Sequence, residues 1–230
     1  MAKSDRPSGL SFPYSFGTRL NPDVRRAAER AAKRAFDVVL ALVLLVFLVP
    51  LLLALSAVIS ASDGGPAIFR QRRIGRQGRP FTCLKFRTMR CDAEKALREL
   101  LETDPDAARE WRESQKLSHD PRITPLGQFL RQTSLDELPQ LLNILAGEMS
   151  FVGPRPIVEA EIPRYGETFS QCFSVPPGLT GLWQVSGRSD CGYVTRVALD
   201  ARYARDWTLS LDLRILAKTV PAVLSRRGSR

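Results

Sequence analysis

The chain has 230 residues, enough for one domain of ordinary size plus short appendages. Hydrophobic residues make up 44% of it, which argues against a largely disordered protein. The formal net charge of +10 predicts attraction to an acidic partner such as nucleic acid, anionic lipid or a phosphorylated substrate, but charge alone does not choose among them.

Residues 1–22 are predicted to form a flexible leader, because Ser, Pro, Gly and Asn are frequent there without helical or strand periodicity. Residues 23–64 are predicted to contain a basic helix and then a membrane helix. The run from Val38 to Ala61 has no charged residue, and its length matches the hydrocarbon core of a bilayer. A buried helix of a soluble protein or a cleaved signal peptide would carry a shorter run.

Two features bear on whether this run crosses the membrane. Pro50 lies near its middle, and proline removes a backbone donor and bends or breaks a helix. Both flanks are basic, and Lys and Arg prefer the cytoplasmic side. The flanking residues are Arg25, Arg26, Arg30, Lys33 and Arg34 on one side and Arg70, Arg72, Arg73, Arg76 and Arg79 on the other. These features favour a re-entrant hairpin, while a simple span with a tolerated proline kink stays open.

Residues 65–225 are predicted to form a compact cytoplasmic domain, followed by a basic tail at 226–230. Ala67–Arg73 and Phe81–Met89 have the composition of short strands. The later segments are a charged helix or helix pair at 92–115 broken near Asp104-Pro105, an apolar stretch at helical spacing at 135–145, a turn region at 185–190, and a mixed apolar and charged stretch at 206–224.

The single histidine and the four cysteines disfavour several kinds of site. The cysteines form no Cys-x-x-Cys pair and do not have the spacing of a disulfide framework, so we interpret them as free thiols facing the cytoplasm. One imidazole is too few for the usual zinc sites. A Ser-His or Cys-His nucleophile would have to use His119, which lies in a turn-like His-Asp-Pro sequence, and we do not expect that chemistry.

The adjacent carboxylates Asp136 and Glu137 are the first candidates for chemistry. Ser134 and Glu137 have the spacing of a helix capping box, so a structural role is one open interpretation. The other is catalytic. A carboxylate near a helix N-terminus stays ionised, an ionised Asp136 can attack phosphorus, and Glu137 can hold Mg²⁺ together with substrate phosphate oxygens. The two roles are compatible, because a capped turn would present Asp136.

Three basic residues are candidates for phosphate binding. Arg155 lies between Pro154 and Pro156, which restrict the backbone and predict a stiff loop that directs the guanidinium group. A guanidinium binds phosphate through two hydrogen bonds and stabilises charge that develops during phosphoryl transfer. Lys85 and Arg87 alternate on a predicted strand and so share one face. Solvated surface positions are an equally open interpretation of all three.

A series of short segments occurs in order along the chain. They are KRAFD at 33–37, Pro50, GPAIFRQRRIG at 65–75, KFRTM at 85–89, DPRIT at 120–124, SLDELPQ at 134–140, SFVGPRP at 150–156, PGLTGLWQVSGR at 177–188 and WTL at 207–209. Taken together, they resemble the bacterial sugar transferase family, the monotopic polyprenyl-phosphate phosphoglycosyl transferases. Each segment alone is weak, and the whole ordered set is highly specific. The resemblance is strongest to the small members that begin exopolysaccharide synthesis.

The resemblance implies roles for residues at the matching positions. Asp136 would be the nucleophile, and Glu137 its catalytic partner and Mg²⁺ ligand. Pro50 would break the hydrophobic helix and make it re-entrant, although Val49 stands where the family often has serine. The residues implied to bind or lie near substrate phosphate are Arg155, Arg131, Lys85, Arg87, Arg188 and Gln184.

The implied fold belongs to the α/β class and is rich in helix. It combines a re-entrant helix-break-helix with a compact catalytic domain of short strands and interfacial amphipathic helices. The implied reaction moves galactose-1-phosphate or glucose-1-phosphate from a UDP-sugar to undecaprenyl phosphate, through a covalent aspartyl intermediate and with release of UMP. It would be the first membrane step of exopolysaccharide biosynthesis.

The resemblance also implies where the protein acts and with what partners. It would lie at the cytoplasmic face of the inner membrane, with Mg²⁺ as cofactor and anionic lipid headgroups as contacts, and a homodimer is left open. The alternative is a non-catalytic membrane-anchored protein that binds through its basic charge. Nucleic acid is not an expected partner, because the arginines flank the membrane run, where anionic headgroups account for them.

Overall fold

The structure is a computed structural model that describes residues 22–114, 117, 119–186 and 192–224. The predicted leader before residue 22 and the predicted basic tail at 226–230 lie outside these residues, and so do Arg188 and Cys191. The other three cysteines, Cys83, Cys91 and Cys172, are free thiols, as predicted.

The chain begins with one long helix, α1 (Pro22–Asp63). Its 42 residues correspond to about 63 Å of helix at ~1.5 Å per residue. Within the described residues, it is the one helix that is long and apolar enough to cross a membrane by length and composition. Many of its large apolar side chains face outward, and Phe47 is 78% exposed. A helix that packs inside a soluble domain would bury such side chains.

The helical backbone of α1 continues through Pro50. The prediction of two helices separated at Pro50 is therefore wrong as stated. A proline removes one backbone hydrogen bond and obstructs the preceding turn, which bends a long helix without ending it when the flanking residues are good helix formers. The continuity of α1 does not decide between a span and a re-entrant path, and that topology stays a proposal.

Both ends of α1 are attached to the rest of the chain. Near its start, the Lys33 ammonium lies 2.6 Å from the Asp212 carboxylate and donates to the carbonyl of Val152 at 3.2 Å. At its end, Asp63 forms a 2.5 Å ion pair with Arg87. These contacts hold the long helix at both of its ends against residues 65–224.

A β-hairpin follows α1. Strands β1 (Ile68–Ile74) and β2 (Pro80–Phe86) confirm the two predicted strands, and they pair antiparallel. Gln77 and Gly78, at φ 57° and 73°, turn the chain between the two strands. Strand β2 ends three residues before the predicted end at Met89. Arg87 N–H still donates to Ala67 opposite it in the hairpin, but the backbone then pairs with residues 123–124: Thr88 accepts from Thr124, and Met89 forms a bridge with Ile123.

The helical part confirms some predicted boundaries and corrects others. Helices α2 (Ala93–Thr103) and α3 (Pro105–Ser114) form the predicted pair, and Asp104 Oδ1 accepts from the first amides of α3. Helix α4 (Pro125–Thr133) begins at Thr124, whose hydroxyl oxygen accepts from Gly127 N–H at 2.9 Å.

The apolar stretch predicted at 135–145 divides into two elements. A 3₁₀ turn (Leu135–Glu137) comes first, and α5 (Gln140–Ala146) begins after Pro139. Proline has no backbone N–H to donate and is well tolerated where a helix starts, which accounts for the division.

Two short parallel strands, β3 (Ser150–Val152) and β4 (Gly178–Thr180), lie at the centre of the domain. The remaining helices are α6 (Ile162–Tyr165), α7 (Phe169–Cys172), α8 (Leu182–Ser186), α9 (Tyr193–Asp206) and α10 (Leu209–Leu224). The turn region predicted from 185 is wrong for its first two residues, which belong to α8.

The described residues therefore form a helix-rich fold with a few short strands, as predicted. Its main core contains side chains from α1, β2, α5, β3, α9 and α10, including Ala41, Leu141, Phe151, Tyr203 and Ile215. Each hydrophobic side chain taken fully out of water contributes roughly 1.5–3 kcal/mol. Because side chains of β2, α5 and β3 pack together in this core, the core fixes the positions of these three elements relative to one another.

Candidate active site

A cleft of about 280 Å³ opens between the hairpin, the 3₁₀ turn and the segments that follow β3 and lead into α8. Most of its lining side chains are polar or charged. The lining residues are Arg73, Cys83, Lys85, Glu137, Gln140, Arg155, Pro156, Gly178, Leu179 and Gln184. Four of the residues predicted from the sequence therefore meet here: Lys85, Glu137, Arg155 and Gln184. A polar cleft with converging basic side chains suits a phosphorylated ligand better than an apolar one.

Asp136 precedes Glu137 in the 3₁₀ turn, is only 9% exposed and is not itself among the residues that line this cleft. Burial, and then the adjacent negative charge of Glu137, raise the pKa of Asp136 to about 6, although Lys85 and Arg131 act in the opposite direction. Within the described part of the chain, no other residue donates a hydrogen bond to its carboxylate. At neutral pH Asp136 is thus a mostly ionised, desolvated carboxylate without a partner, which favours reactivity.

Glu137 differs from its neighbour in having a partner. Its Oε1 accepts a hydrogen bond of 2.6 Å from Lys85 Nζ, and its side chain is 24% exposed. Burial alone would raise the pKa of Glu137, but Lys85, Arg155 and Arg73 together hold it below its usual value. Two adjacent carboxyls thus have pKa values displaced in opposite directions, a pattern typical of sites with divided roles.

The capping-box interpretation of Ser134 and Glu137 is wrong. Ser134 ends α4 in the left-handed conformation at φ 58°, and its side chain makes no capping hydrogen bond. The Glu137 carboxylate binds Lys85 rather than the backbone of Ser134. The expectation that a helix N-terminus keeps Asp136 ionised is also corrected, because a three-residue 3₁₀ turn has little dipole and burial raises the pKa instead.

Backbone hydrogen bonds join the loop that carries Arg155 to the segment around β4. Gly153 N–H donates to the Thr180 carbonyl at 2.9 Å, and Gly178 N–H donates to the Pro154 carbonyl at 2.8 Å. The approach is so close that a Cβ on Gly178 would lie 2.1 Å from the Gly153 nitrogen. The two residues that precede Arg155, Gly153 and Pro154, are therefore held by backbone hydrogen bonds, and the flanking prolines restrict the loop further.

Arg73 also lines the cleft, which the sequence does not predict. From the sequence, Arg73 is one of the basic residues that flank the membrane run. In the hairpin, Arg73 lies opposite Phe81 and donates to the side chain of Gln71 and, at 3.3 Å, to the Pro156 carbonyl. Alternation relates only residues of one strand, and the hairpin register that pairs Arg73 with Phe81 is what places Arg73 on the face of Lys85.

The other predicted site residues lie at different distances from the cleft. Arg131 donates to Thr88 Oγ1 at 2.9 Å, and its charge lowers the pKa of Asp136, so it belongs to the site's surroundings. Gln184 donates to the Leu179 carbonyl, and its Oε1 is buried without a partner among the described residues. Arg188 lies outside the described residues and stays a prediction.

Arg87 is predicted to lie with Lys85 near substrate phosphate, but it does not line this cleft. Its guanidinium group pairs with Asp63, donates to the Ile59 carbonyl at 3.1 Å and contacts Cys91 Sγ. Arg87 directly follows β2 and binds residues at the end of α1. Its role is therefore structural, and it does not line the cleft with Lys85.

Comparisons with known proteins show the family of this chain. The family model described as bacterial sugar transferase matches residues 28–226. The chain belongs to the bacterial sugar transferase family. This sugar transferase is 54% identical over 167 residues to a UDP-galactose-lipid carrier transferase of Erwinia amylovora, covering 73% of this chain and 35% of that protein.

Two further relatives show a similar degree of identity. An exopolysaccharide production protein, ExoY, of Rhizobium meliloti is 52% identical over 175 residues, covering 76% of this chain and 77% of the relative. An undecaprenyl-phosphate galactose phosphotransferase of Salmonella typhimurium is 53% identical over 167 residues, covering 73% and 35%. The sugar transferase thus spans about a third of the length of two of these three relatives and three quarters of the other.

Mg²⁺ fits the donor atoms of this sugar transferase in one particular way. The described residues contain no group of three or more His, Cys, Asp or Glu side chains placed to hold a metal ion. Asp136 and Glu137 supply two adjacent carboxylates, and Lys85 occupies only Oε1 of Glu137. Mg²⁺ is commonly held by one or two carboxylates together with substrate phosphate oxygens. The residues therefore suit an ion bound jointly with substrate.

Proposed function

We propose that this sugar transferase moves a sugar-1-phosphate from a UDP-sugar to undecaprenyl phosphate and releases UMP. The donor sugar is galactose or glucose. The names of two relatives, a UDP-galactose-lipid carrier transferase and an undecaprenyl-phosphate galactose phosphotransferase, support this reaction class, and both include galactose. The name of the third relative supports a place in exopolysaccharide production, of which this would be the first membrane step.

The observation that carries the proposal is the buried carboxylate of Asp136, to which no other described residue donates a hydrogen bond, beside the paired carboxylate of Glu137. In the first step, one Asp136 oxygen attacks the β-phosphorus of the donor. The bond from that phosphorus to the bridging oxygen breaks, and UMP leaves with the electron pair. The products are UMP and an aspartyl phosphosugar.

In the second step, an oxygen of the lipid phosphate attacks the same phosphorus. The bond to Asp136 breaks and the carboxylate is regenerated, so that the product is a lipid diphosphate sugar. A two-step route lets one shallow cleft serve a soluble donor and a lipid acceptor in turn. Asp136 needs no proton removed at neutral pH, because its pKa of about 6 leaves it mostly ionised.

The remaining cleft residues bind and orient phosphate. Arg155 projects from its hydrogen-bonded loop and offers a planar pair of donors, which suits phosphate oxygens. Lys85 keeps Glu137 ionised and positioned, with its second oxygen available for Mg²⁺. Mg²⁺ supplies positive charge that offsets the negative charge developing on the phosphate oxygens.

The same proposal places the enzyme at the cytoplasmic face of the inner membrane. Helix α1 is apolar, outward-facing and attached at both ends to residues 65–224, which fits a re-entrant path bent at Pro50. Its basic flanks are then both available to anionic lipid headgroups. This path brings the cleft close to the lipid phosphates of one leaflet.

Intact-mass spectrometry of the full chain tests the covalent step. The protein is incubated with UDP-galactose or UDP-glucose and Mg²⁺ but without lipid acceptor, and UMP is measured in parallel. We expect a sugar-phosphate adduct and up to one UMP per active site for wild type, and neither for Asp136→Asn. Asp92→Asn, an exposed carboxylate on the surface, is the matched control and should form the adduct normally.

The donor that gives the faster adduct identifies the sugar. A basic binding protein without catalysis would release no UMP under any of these conditions. A folded Asp136→Asn protein that forms adduct and completes transfer would contradict the assignment of the nucleophile.

A further inference from the structure

Two guanidinium groups face the same cleft without close neutralisation. Arg155 forms no ion pair within 4.0 Å with any described residue, and its guanidinium lies 5.9 Å from the Trp183 ring. Arg73 donates only to the uncharged oxygens of Gln71 and Pro156, and its nearest carboxylate, Glu161, is 3.9 Å away. Glu161 is also shared with Arg196 at 3.5 Å, so it does not neutralise Arg73 alone.

This arrangement is unfavourable unless a ligand completes it. Burial lowers the pKa of Arg73, and the positive charge of Arg155 lowers it further. The Arg73 side chain is only 15% exposed, so water screens the repulsion between the two groups poorly. Partly buried like charges are retained at sites that bind an opposite charge, because the bound anion removes both the repulsion and the desolvation cost.

The two arginines lie at the end of the cleft away from the nucleophile. Arg73 pairs with Phe81 in the hairpin, and Lys85 is four residues further along β2, which corresponds to about 13 Å of strand. Arg73 also donates to the carbonyl of Pro156, the residue after Arg155, whereas Lys85 donates to Glu137, the neighbour of Asp136. The Glu137–Lys85 pair therefore lies at the end of the cleft next to Asp136, and Arg73 with the Arg155 loop lies toward the other end.

In-line displacement fixes which phosphate meets this end of the cleft. The attacking oxygen and the leaving oxygen lie on opposite sides of the phosphorus under attack. With Asp136 as nucleophile, the leaving phosphate must point away from Asp136 and along the cleft toward the arginines. That group is the phosphate of the nucleoside monophosphate.

We propose that Arg73 and Arg155 form a two-arginine clamp for the phosphate of the nucleoside monophosphate leaving group. The assignment rests on the proposed function and adds Arg73 as a substrate-binding residue of the cleft. The clamp holds the donor through the one phosphate that is not transferred, and it stabilises the negative charge that UMP gains as its bond to phosphorus breaks. Neutralisation by Arg73 thus assists departure as well as binding.

Direct binding of UMP and of uridine to the full chain tests the clamp without requiring transfer. The two probes differ only by the phosphate, so their affinity ratio isolates the phosphate contribution. We expect Arg73→Gln to weaken UMP binding at least tenfold and to leave uridine binding unchanged, because the variant loses charge-assisted hydrogen bonds to the phosphate. Arg72→Gln is the matched control: it is the adjacent, exposed arginine of β1 and should change neither affinity.

Arg73→Lys keeps one positive charge but loses the planar fork, so its UMP affinity should lie between those of wild type and Arg73→Gln. This variant also serves if Arg73→Gln does not fold. Equal UMP affinity in wild type and both variants would overturn the clamp. So would a parallel loss of UMP and uridine affinity, or a wild-type protein that binds UMP no better than uridine.

Adduct formation keeps this outcome separate from the proposed function. With saturating UDP-sugar, Arg73→Gln should still form the Asp136 adduct, but the donor concentration for half-maximal adduct should rise at least tenfold. Normal adduct formation together with unchanged UMP affinity would overturn the clamp and leave the function standing. Absence of adduct from wild type, with the UMP preference intact, would overturn the function and leave the anion site standing.

Discussion

The Glu137 carboxylate accepts a hydrogen bond of 2.6 Å from Lys85, 52 positions earlier in the sequence. This pair joins the 3₁₀ turn to β2 and engages the lysine of the cleft. Asp136 is consequently buried beside a negative charge, without a donor of its own among the described residues. The difference between the two neighbours comes from their partners rather than from their chemistry, and it can be tested through stability as well as activity.

Asp136→Asn should stabilise the folded protein at neutral pH. The pKa of Asp136 is raised from 3.8 to about 6, so its contribution to stability is greatest below pH 3.8 and is lost as the pH rises through 6. Asparagine does not ionise, so the variant should unfold at higher denaturant near pH 7.5, with a gain on the order of 2 kcal/mol. Chemical denaturation of wild type and variant at pH 7.5 and at pH 3.5 measures the difference in their free energies of unfolding. This difference should vanish near pH 3.5.

Glu137→Gln should have the opposite effect. Its pKa lies below the usual value, so its contribution to stability is present at neutral pH and is lost as the pH falls through the folded-state pKa. The variant also leaves Lys85 without its partner and should lose about 1 kcal/mol near pH 7.5. Stabilities that change in the same direction for both variants would contradict the proposed division between the two carboxylates.

The rate of donor turnover should have an acid limb near pH 6. The attack requires ionised Asp136, and kcat/KM reports the pKa values of the free enzyme. Glu137→Gln removes the neighbouring negative charge that raises the pKa of Asp136, so its weaker activity should persist to lower pH than that of wild type. A pH series of kcat/KM for UMP release measures the acid limb of wild type and that of Glu137→Gln. An acid limb that does not move in Glu137→Gln would argue against direct coupling of the two groups.

Arg155→Lys should lower the rate on the order of tenfold or more despite keeping the charge. A guanidinium offers two parallel donors to a phosphate, and an ammonium group cannot reproduce that fork. Steady-state kinetics with the preferred UDP-sugar measures the effect. Arg79→Lys, at an exposed position of the hairpin, is the control and should retain wild-type rates. Near-normal kinetics for Arg155→Lys would contradict a phosphate-binding role and favour the interpretation of Arg155 as a solvated loop residue.

Gly178→Ala should disrupt the loop that carries Arg155. The new Cβ would lie 2.1 Å from the backbone nitrogen of Gly153, so one of the two segments must move. We expect a loss on the order of 3 kcal/mol or more in stability, together with loss of transfer. Gly192→Ala is the control, because nothing lies within 4 Å of its Cβ and its φ of −56° suits alanine. Thermal unfolding of both variants makes the comparison.

Cysteine labelling tests the re-entrant path of α1. Cysteines introduced at residues 20 and 70, in a protein whose exposed Cys91 and whose Cys191 are replaced by serine, should both be labelled only from the cytoplasm. A cysteine at the exposed residue 102 reports cytoplasmic access. Labelling of position 20 from the periplasm would show that α1 crosses the membrane, and Pro50 would then be a proline tolerated within a spanning helix.

Local signals in the sequence predicted local structure well. The β1–β2 hairpin and the break between α2 and α3 follow from strand composition and from a single Asp-Pro step. Helix α9 was not predicted, although Tyr193, Val197 and Ala201 follow one another at intervals of four residues and pack against the core cluster that contains Tyr165. That spacing was a helical signal within the segment, whereas the position of α9 in the fold depends on tertiary contacts.

The candidate site depended on contacts that local patterns do not contain. Ser134 and Glu137 matched a capping box by spacing, yet Lys85, far away in sequence, takes the Glu137 carboxylate. Arg73 and Arg87 both read as basic residues near a strand, but one lines the cleft and the other holds α1. Which arginine does which is decided by hairpin register and by Asp63, and neither is visible before the chain is folded.

The hydrogen bonds between Gly153 and Thr180 and between Gly178 and Pro154 have a consequence for protein engineering. Segments 150–156 and 177–181 interlock through backbone atoms, with no space between them for a side chain at Gly178. A chimera that takes one segment from a relative and keeps the other would combine two backbones shaped for different neighbours. Exchanges of donor specificity in this enzyme should therefore move both segments together as one cassette.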